Sequence, residues 1–252
     1  MRARSMTAAA AALVLALVSL GAGAAEITFI CSNALKAVME ELAPQFEKAS
    51  GHRLRVTYGT TGPLQVQIEK GAPFDVTLLG PAAIDELIKQ GRLVAATRTD
   101  VARSGLGVAI ARGATRPDLS SAEAFKRSLL GAKSIAFLES GLTGTHLWTI
   151  FQRLGITDEM KARHRQGRGA EMVAEGKAEL GMTQLSEILH VPAVELAGPL
   201  PPELQNYTVF PGAVAAGSKE SAASQALLTY LTSPEAAKVM RAKGLEPARG
   251  GR

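Results

Sequence analysis

Between residues 26 and 90, short segments with the hydrophobic pattern of a strand alternate with segments that have the spacing of a helix. Short β-branched runs at 26–30, 54–58 and 74–79 are each followed by a stretch with apolar residues at helical spacing. The clearest stretch lies at 35–50, where one stripe contains Leu35, Val38, Met39, Leu42 and Phe46. Strand and helix patterns in this succession predict an α/β fold whose mostly parallel sheets are flanked by helices.

The rest of the chain continues the pattern. It predicts strands at 106–111, 134–138, 180–183 and 207–215, and helices at 62–70, 82–90, 144–154, 170–175, 219–231 and 234–243. Pro44 predicts a kink or a short break in the first helix, and Gly51 predicts its C-terminal cap. Residues 198–202 are proline-rich and predict a surface loop, whereas the Gly- and Arg-rich residues 245–252 predict a frayed end.

The first 25 residues have the pattern of a targeting sequence. Arg2 and Arg4 precede an apolar run at 8–20, which ends in small residues at 21–25. The run is short for a permanent membrane span, so we expect a cleaved signal peptide at 1–25 and a mature protein in the periplasm. Its removal takes the net charge from +5 to +3, which gives no reason to expect a nucleic-acid partner.

Several classes of chemistry have no motif in this sequence. It contains no nucleophile elbow, no phosphate-binding loop and no zinc-protease helix, and its four histidines lack metal-ligand spacing. We therefore expect a binding protein, not an enzyme, with no catalytic residue, metal or cofactor. A secreted hydrolase remains an alternative, for which Thr143 and His146 are the pair to check. A regulator's effector domain would need a DNA-binding helix pair where this chain has its targeting pattern.

Hydroxyl- and glycine-rich turns follow three of the predicted strands, at 32–33, 60–62 and 140–145. Such turns lie at the carboxyl ends of the strands in a parallel sheet, where ligands bind. Backbone N–H groups at the helix starts attract anions, and Ser or Thr hydroxyls add donors. The same residues also serve as ordinary helix N-caps, so both interpretations stay open.

Four segments resemble the bacterial periplasmic molybdate-binding proteins. The most specific is Ile-Glu-x-Gly-Ala-Pro-x-Asp at 68–75, and the others lie at 26–35, 151–155 and 230–237. The resemblance implies a type II substrate-binding protein of an ABC importer, with two α/β lobes joined by crossover strands and a small anion held between them. It also implies a membrane permease as partner. We expect a monomer with lobe 1 at 26–103 plus 206–252, and lobe 2 at 104–205.

Position by position, the resemblance implies a hydroxyl donor at Thr61 and backbone N–H donors near Thr143 and Gln166. The family's first cleft serine corresponds to Ala34, so Ser32 or Asn33 would supply a donor from the same turn. The ligand-binding residues that we expect are Ser32, Asn33, Thr60, Thr61, Thr143, Gln166, Arg168 and Gln184.

Two kinds of ligand remain open at this site. The resemblance favours molybdate or tungstate. Arg168 and Gln184, which stands where the family has a tyrosine, favour a small organic carboxylate, because a guanidinium matches a carboxylate with two parallel hydrogen bonds.

Overall fold

The computed structural model describes residues 23–248, so most of the expected signal peptide lies outside the described residues. Along the chain the elements are β1 (Glu26–Ser32), α1 (Lys36–Ser50), β2 (Arg53–Gly59), α2 (Thr61–Glu69), β3 (Val76–Leu78), α3 (Pro81–Lys89), β4 (Thr99–Ser104), β5 (Leu106–Ala111), α4 (Ala122–Gly131), β6 (Ile135–Phe137), α5 (Leu142–Leu154), α6 (Thr157–Arg163), β7 (His164–Gln166), α7 (Gly169–Ala174), β8 (Leu180–Gln184), α8 (Leu185–Leu189), β9 (Val194–Pro199), β10 (Thr208–Val214), α9 (Ser221–Leu231), α10 (Pro234–Ala242) and β11 (Glu246–Pro247). Two 3-10 turns lie at Asn33–Leu35 and Ala95–Thr97. No helix in residues 23–248 has both the length and the apolar character that a membrane crossing requires.

The strands form two sheets, each flanked by helices. One has the order β11-β4-β10-β3-β1-β2 and the other β7-β6-β8-β5-β9. Parallel pairing joins β1 to β2 and β3, and β6 to β7 and β8, as the alternating pattern predicts. The expectation of mostly parallel sheets needs correction, because β4, β5, β9, β10 and β11 pair antiparallel and both sheets are therefore mixed.

Helix α1 shows how the apolar stripe builds the first sheet's core. Its predicted stripe is buried against β1, and the helix ends where Gly51 adopts the left-handed conformation and donates its N–H to Glu47. The predicted break at Pro44 is absent, since α1 continues through this residue. Burial of the stripe stabilises the helix more than one missing hydrogen bond destabilises it.

The motif at 68–75 is a structural link in the first sheet. Asp75 accepts hydrogen bonds from the backbone N–H of Thr28 at 2.8 Å and from the hydroxyl of Ser218 at 2.7 Å. Those contacts tie the strand β1 to the loop that follows β10. The most specific segment of the family resemblance therefore serves the fold.

Two predicted irregular segments carry structure. Residues 198 and 199, expected in a surface loop, end the strand β9, which pairs with β5. At the chain's end, β11 pairs with β4 and Leu245 is buried in the core, so fraying is absent through residue 248. Pairing with an existing sheet edge orders both segments despite their proline and glycine content.

Each sheet has its own hydrophobic core, which gives the molecule two lobes. Buried clusters with Phe29 and Leu78 belong to the first sheet, and clusters with Phe137 and Leu147 belong to the second. The chain passes between the sheets at 104–106 and 205–208, where the Gln205 side chain bonds both backbone groups of Leu106 at 2.7 and 2.9 Å. The lobe limits at 103/104 and 205/206 stay a prediction.

Candidate ligand-binding site

A cavity of about 280 Å³ lies between the two sheets. Strand ends and helix starts from both sides form its wall, which is the position where α/β sheets bind ligands. The lining residues are Ser32, Asn33, Ala34, Thr60, Thr61, Gly62, Gln65, Gly80, Ala82, Ala83, Leu138, Ser140, Gly141, Leu142, Thr143, Thr145, Arg168, Gly169, Thr183, Gln184, Glu187 and Phe210.

The first sheet contributes hydroxyl groups that its own turns hold in place. Ser32 is buried at the end of β1, and its oxygen accepts a hydrogen bond from the backbone N–H of Ala34 at 3.4 Å. Thr61 begins α2, and its hydroxyl oxygen accepts the backbone N–H of Gly80 at 3.1 Å. That contact joins the N-termini of α2 and α3, so both helix starts face the same cavity.

Three helices of nine residues or more begin at the cavity wall. The N-caps of α2, α3 and α5 are Thr60, Gly80 and Gly141, and none of these three makes a side-chain capping hydrogen bond. First-turn N–H groups and the positive end of each helix dipole therefore point toward the cavity. Such an arrangement favours an anion bound between the lobes.

The second sheet brings a cation to the wall. Arg168 is the N-cap of α7, its side chain is 47% exposed, and its Nε pairs with Glu171 at 2.9 Å. The pair engages one edge of the guanidinium only. Its two terminal nitrogens have the geometry to donate hydrogen bonds to both oxygens of a carboxylate.

Glu187 places a carboxyl group in the same cavity. It lies in the first turn of α8 and is partly buried, and one of its oxygens accepts a hydrogen bond from the hydroxyl of Thr183. Burial raises the pKa of Glu187, while the Thr183 hydroxyl and the charge of Arg168 oppose that shift. Within residues 23–248, Arg168 and Glu187 are the two charged residues that line this cavity.

Gln184 supplies a buried acceptor. Its side chain is 5% exposed, and its Nε2 reaches the hydroxyl of Thr208 at 3.4 Å. Its Oε1 is buried without a hydrogen-bond partner among the described residues. A buried unpaired oxygen is costly, so a ligand that donates a hydrogen bond would be stabilised here.

Most of the residues predicted from the sequence lie together in this cavity. Seven of the eight line it, and Arg168 is among them. The structure does not bring in Gln166, whose side chain accepts the backbone N–H of Glu139 at 3.1 Å. Nor does it form the Thr143–His146 pair of a hydrolase, because the His146 Nε2 contacts the carbonyl of Leu204 at 3.0 Å.

Sequence reasoning missed several residues of the wall. Chief among them are Thr183 and Glu187, together with the start of α3 at Gly80. The sequence predicts the strand at 180–183, and the ligand-binding position at the carboxyl end of that strand is the available signal for Thr183. Glu187 carried no such signal, because it follows the strand inside a helix too short to show a period.

The chain belongs to the family of bacterial extracellular solute-binding proteins, whose sequence pattern matches residues 27–246. It is 34% identical to the aconitate isomerase of a Pseudomonas species over 231 residues, covering 88% of this chain and 87% of that protein. It is also 30% identical to the molybdate-binding protein ModA of Azotobacter vinelandii, covering 90% and 95%.

A solved structure confirms the two-lobed fold. The periplasmic molybdate-binding protein of Azotobacter vinelandii superimposes with a TM-score of 0.72 at 24% identity, covering 87% of this chain and 98% of that one. The two relatives found by sequence comparison are named for different molecules, aconitate and molybdate. Family membership therefore indicates a small solute, and the ligand has to be argued from the cavity itself.

Proposed function

We propose that this chain is a periplasmic solute-binding protein whose interlobe cavity captures a small organic polycarboxylate. Arg168 is the observation that carries the proposal. A tetrahedral metal oxyanion is held adequately by neutral donors, whereas a carboxylate gains two charge-assisted hydrogen bonds from a guanidinium. A cation at this wall is therefore better matched to a carboxylate than to molybdate.

Two further features of the wall support an organic acid. The unpaired Oε1 of Gln184 needs a hydrogen-bond donor, which a hydroxyl or protonated carboxyl group supplies and a fully ionised oxyanion does not. Glu187 lies at the same wall, and in its protonated form it can donate a hydrogen bond to a carboxylate. The 34% identity to aconitate isomerase is consistent with an organic acid as the ligand.

The remaining donors would bind the other carboxylate groups of the ligand. The starts of α2 and α3 lie on one side of the cavity, and the start of α5 with Thr143 lies on the other. A ligand with several carboxylates can contact both sides at once, which favours closure of the lobes around it. The closed form would then deliver its solute to the permease of an ABC importer.

Metal-oxyanion capture is the second candidate function. The 30% identical relative is named for molybdate, and Thr61 and Thr143 are neutral donors on opposite walls of the cavity. Neutral donors suffice for a metal oxyanion, so this candidate does not require Arg168, which is why we rank it second.

Calorimetric titration and thermal melting of the purified protein would separate the two candidates. The panel contains molybdate, tungstate, sulfate, phosphate, succinate, citrate, trans-aconitate and cis-aconitate. We expect tight binding of at least one tricarboxylate and weak binding of the metal oxyanions. Tight molybdate binding with no carboxylate response would select the second candidate, and no response to any anion would refute both.

A further inference from the structure

The start of α8 brings two polar side chains to the cavity wall. Gln184 is the last residue of β8 and the N-cap of α8, and Glu187 follows three residues later in the first turn of that helix. The N-cap residue and the third residue of a helix lie close enough to exchange hydrogen bonds. Both of these residues line the interlobe cavity, so α8 presents two neighbouring polar groups to a bound molecule.

Both groups keep hydrogen-bonding capacity for a ligand. The Gln184 side chain is buried, and its Oε1 has no hydrogen-bond partner within residues 23–248. The Thr183 hydroxyl donates to one oxygen of Glu187, and the other charged residue of the wall, Arg168, pairs with Glu171. A buried acceptor without a partner is unfavourable until a bound molecule supplies a donor.

The surroundings of Glu187 favour its protonated form. Burial raises the pKa of Glu187, and the negative charge of Glu171 raises it further, whereas the Thr183 hydroxyl and the charge of Arg168 oppose the shift. A protonated carboxyl group can donate its O–H to an acceptor in the ligand. The wall at this point therefore offers an acceptor on Gln184 and a donor on Glu187.

We propose that Gln184 and Glu187 form a subsite for a hydroxyl group, so that the ligand of this cavity is a hydroxy acid. The inference rests on the carboxylate binding proposed above. A hydroxyl group has one proton to donate and two lone pairs that accept. It can donate to the Oε1 of Gln184 and accept a hydrogen bond from Glu187 at the same time.

Other classes of ligand match this subsite less well. An acid without a hydroxyl group leaves the Oε1 of Gln184 buried and unpaired, which weakens binding. The ammonium group of an amino acid can donate to that oxygen, but it has no lone pair with which to accept a hydrogen bond from Glu187. A fully ionised oxyanion has lone pairs and no proton to donate. The subsite therefore distinguishes ligands by one functional group.

Matched acids test the proposal on the purified protein by calorimetric titration. The two enantiomers of malate differ from succinate by one hydroxyl group, and citrate differs from tricarballylate in the same way. The cavity volume of about 280 Å³ suits such compact acids. In the pair that binds, we expect the hydroxylated acid to bind at least about tenfold more tightly than its partner. Aspartate, which carries an ammonium group at that position, should bind more weakly than the tighter enantiomer of malate.

Substitutions assign the preference to the two residues. Gln184→Met keeps an unbranched side chain without the amide, so it should reduce the preference for the hydroxylated acid to less than about threefold. Gln152→Met is the matched control, because Gln152 is exposed on α5 outside the cavity, and it should keep the full preference. Glu187→Leu should lower the preference, whereas Glu187→Gln can still donate and should keep it. Thermal melting of each variant verifies that it folds.

The possible results separate this proposal from the one on which it rests. Equal affinity for both members of a pair that binds would overturn the hydroxyl subsite and leave carboxylate binding standing. Tighter binding of aspartate than of malate would overturn the choice of a hydroxyl group. A full preference in folded Gln184→Met would overturn the role of Gln184. No binding of any carboxylate would refute the proposed function itself.

Discussion

At the scale of single residues, Arg168 decides the class of ligand. Arg168→Ala should weaken the binding of a tricarboxylate at least tenfold, since a hydrogen bond to a charged group contributes about 1.5–3 kcal/mol. Arg165→Ala is the matched control, because Arg165 is exposed, bonds the carbonyl of His164 and lies outside the cavity. Calorimetric titration measures both variants. Equal affinity in Arg168→Ala and the unsubstituted protein would contradict the carboxylate proposal.

Glu187 should make stability depend on pH. Folding raises the pKa of Glu187, so as the pH rises the unfolded chain loses this proton first, at about pH 4.3. From that pH upward the free energy of unfolding decreases, until the pH exceeds the pKa of Glu187 in the folded protein. Glu187→Gln removes that loss and keeps an acceptor for Thr183. We expect its Tm to exceed that of the unsubstituted protein at pH 7, with the gap closing near pH 4. A gap independent of pH would show that Glu187 ionises freely in the fold.

The sequence indicated some of these residues and not others for a physical reason. Thr61 and Thr143 belong to hydroxyl-rich turns after predicted strands, and such turns are visible in a sequence. Glu187 is one acidic residue in a short polar and apolar stretch, and its place in the cavity depends on how β8 meets α8. Tertiary contacts of that kind have no local signature.

At the scale of elements, the close approach of α5 to the loop before it positions one wall of the cavity. A Cβ on Gly144 would lie 2.3 Å from the carbonyl oxygen of Leu138 and 2.6 Å from the Cα of Glu139. Both are backbone atoms, so they cannot move aside without moving the loop. Only glycine fits at this position.

Gly144→Ala should therefore destabilise the protein by about 1–3 kcal/mol, as overpacking does, and weaken ligand binding by displacing Thr143. Gly131→Ala is the control, since nothing lies within 4 Å of the added carbon at this helix position. Alanine there should leave the Tm unchanged or raise it slightly. Chemical denaturation measures both, and equal stability of the two variants would contradict the steric argument.

Element length explains which parts of the fold could be predicted. Helices α1 and α5 have 15 and 13 residues, long enough for an apolar stripe to repeat. Strands β7 and β11 have three and two residues, too few for alternation, and they are ordered by the sheet edges they join. The antiparallel pairing of β4 and β10 depends on the crossings between lobes, which local patterns do not encode.

At the scale of the whole molecule, two separate cores share one ligand cavity. The lobes also touch directly, because the Ser186 hydroxyl on α8 donates to the carbonyl of Ala34 at 2.7 Å. A ligand held by donors on both sides adds to that contact. Its binding should therefore stabilise both lobes together, although each has a core of its own.

The single tryptophan makes this coupling measurable. Trp148 packs against Phe137 and Phe151 in the second sheet's core, so its fluorescence reports that lobe, whereas far-ultraviolet circular dichroism reports both. Free ligand at a hundred times Kd should add about 2.7 kcal/mol to folding stability by mass action. For a chain of this size that corresponds to a rise in Tm of about 5–10 °C. Both signals should shift equally, because unfolding of either lobe releases the ligand. The contrary result is a ligand that raises the Tm that Trp148 fluorescence reports and leaves an earlier transition in circular dichroism unchanged. That result would mean that the second lobe alone holds the ligand.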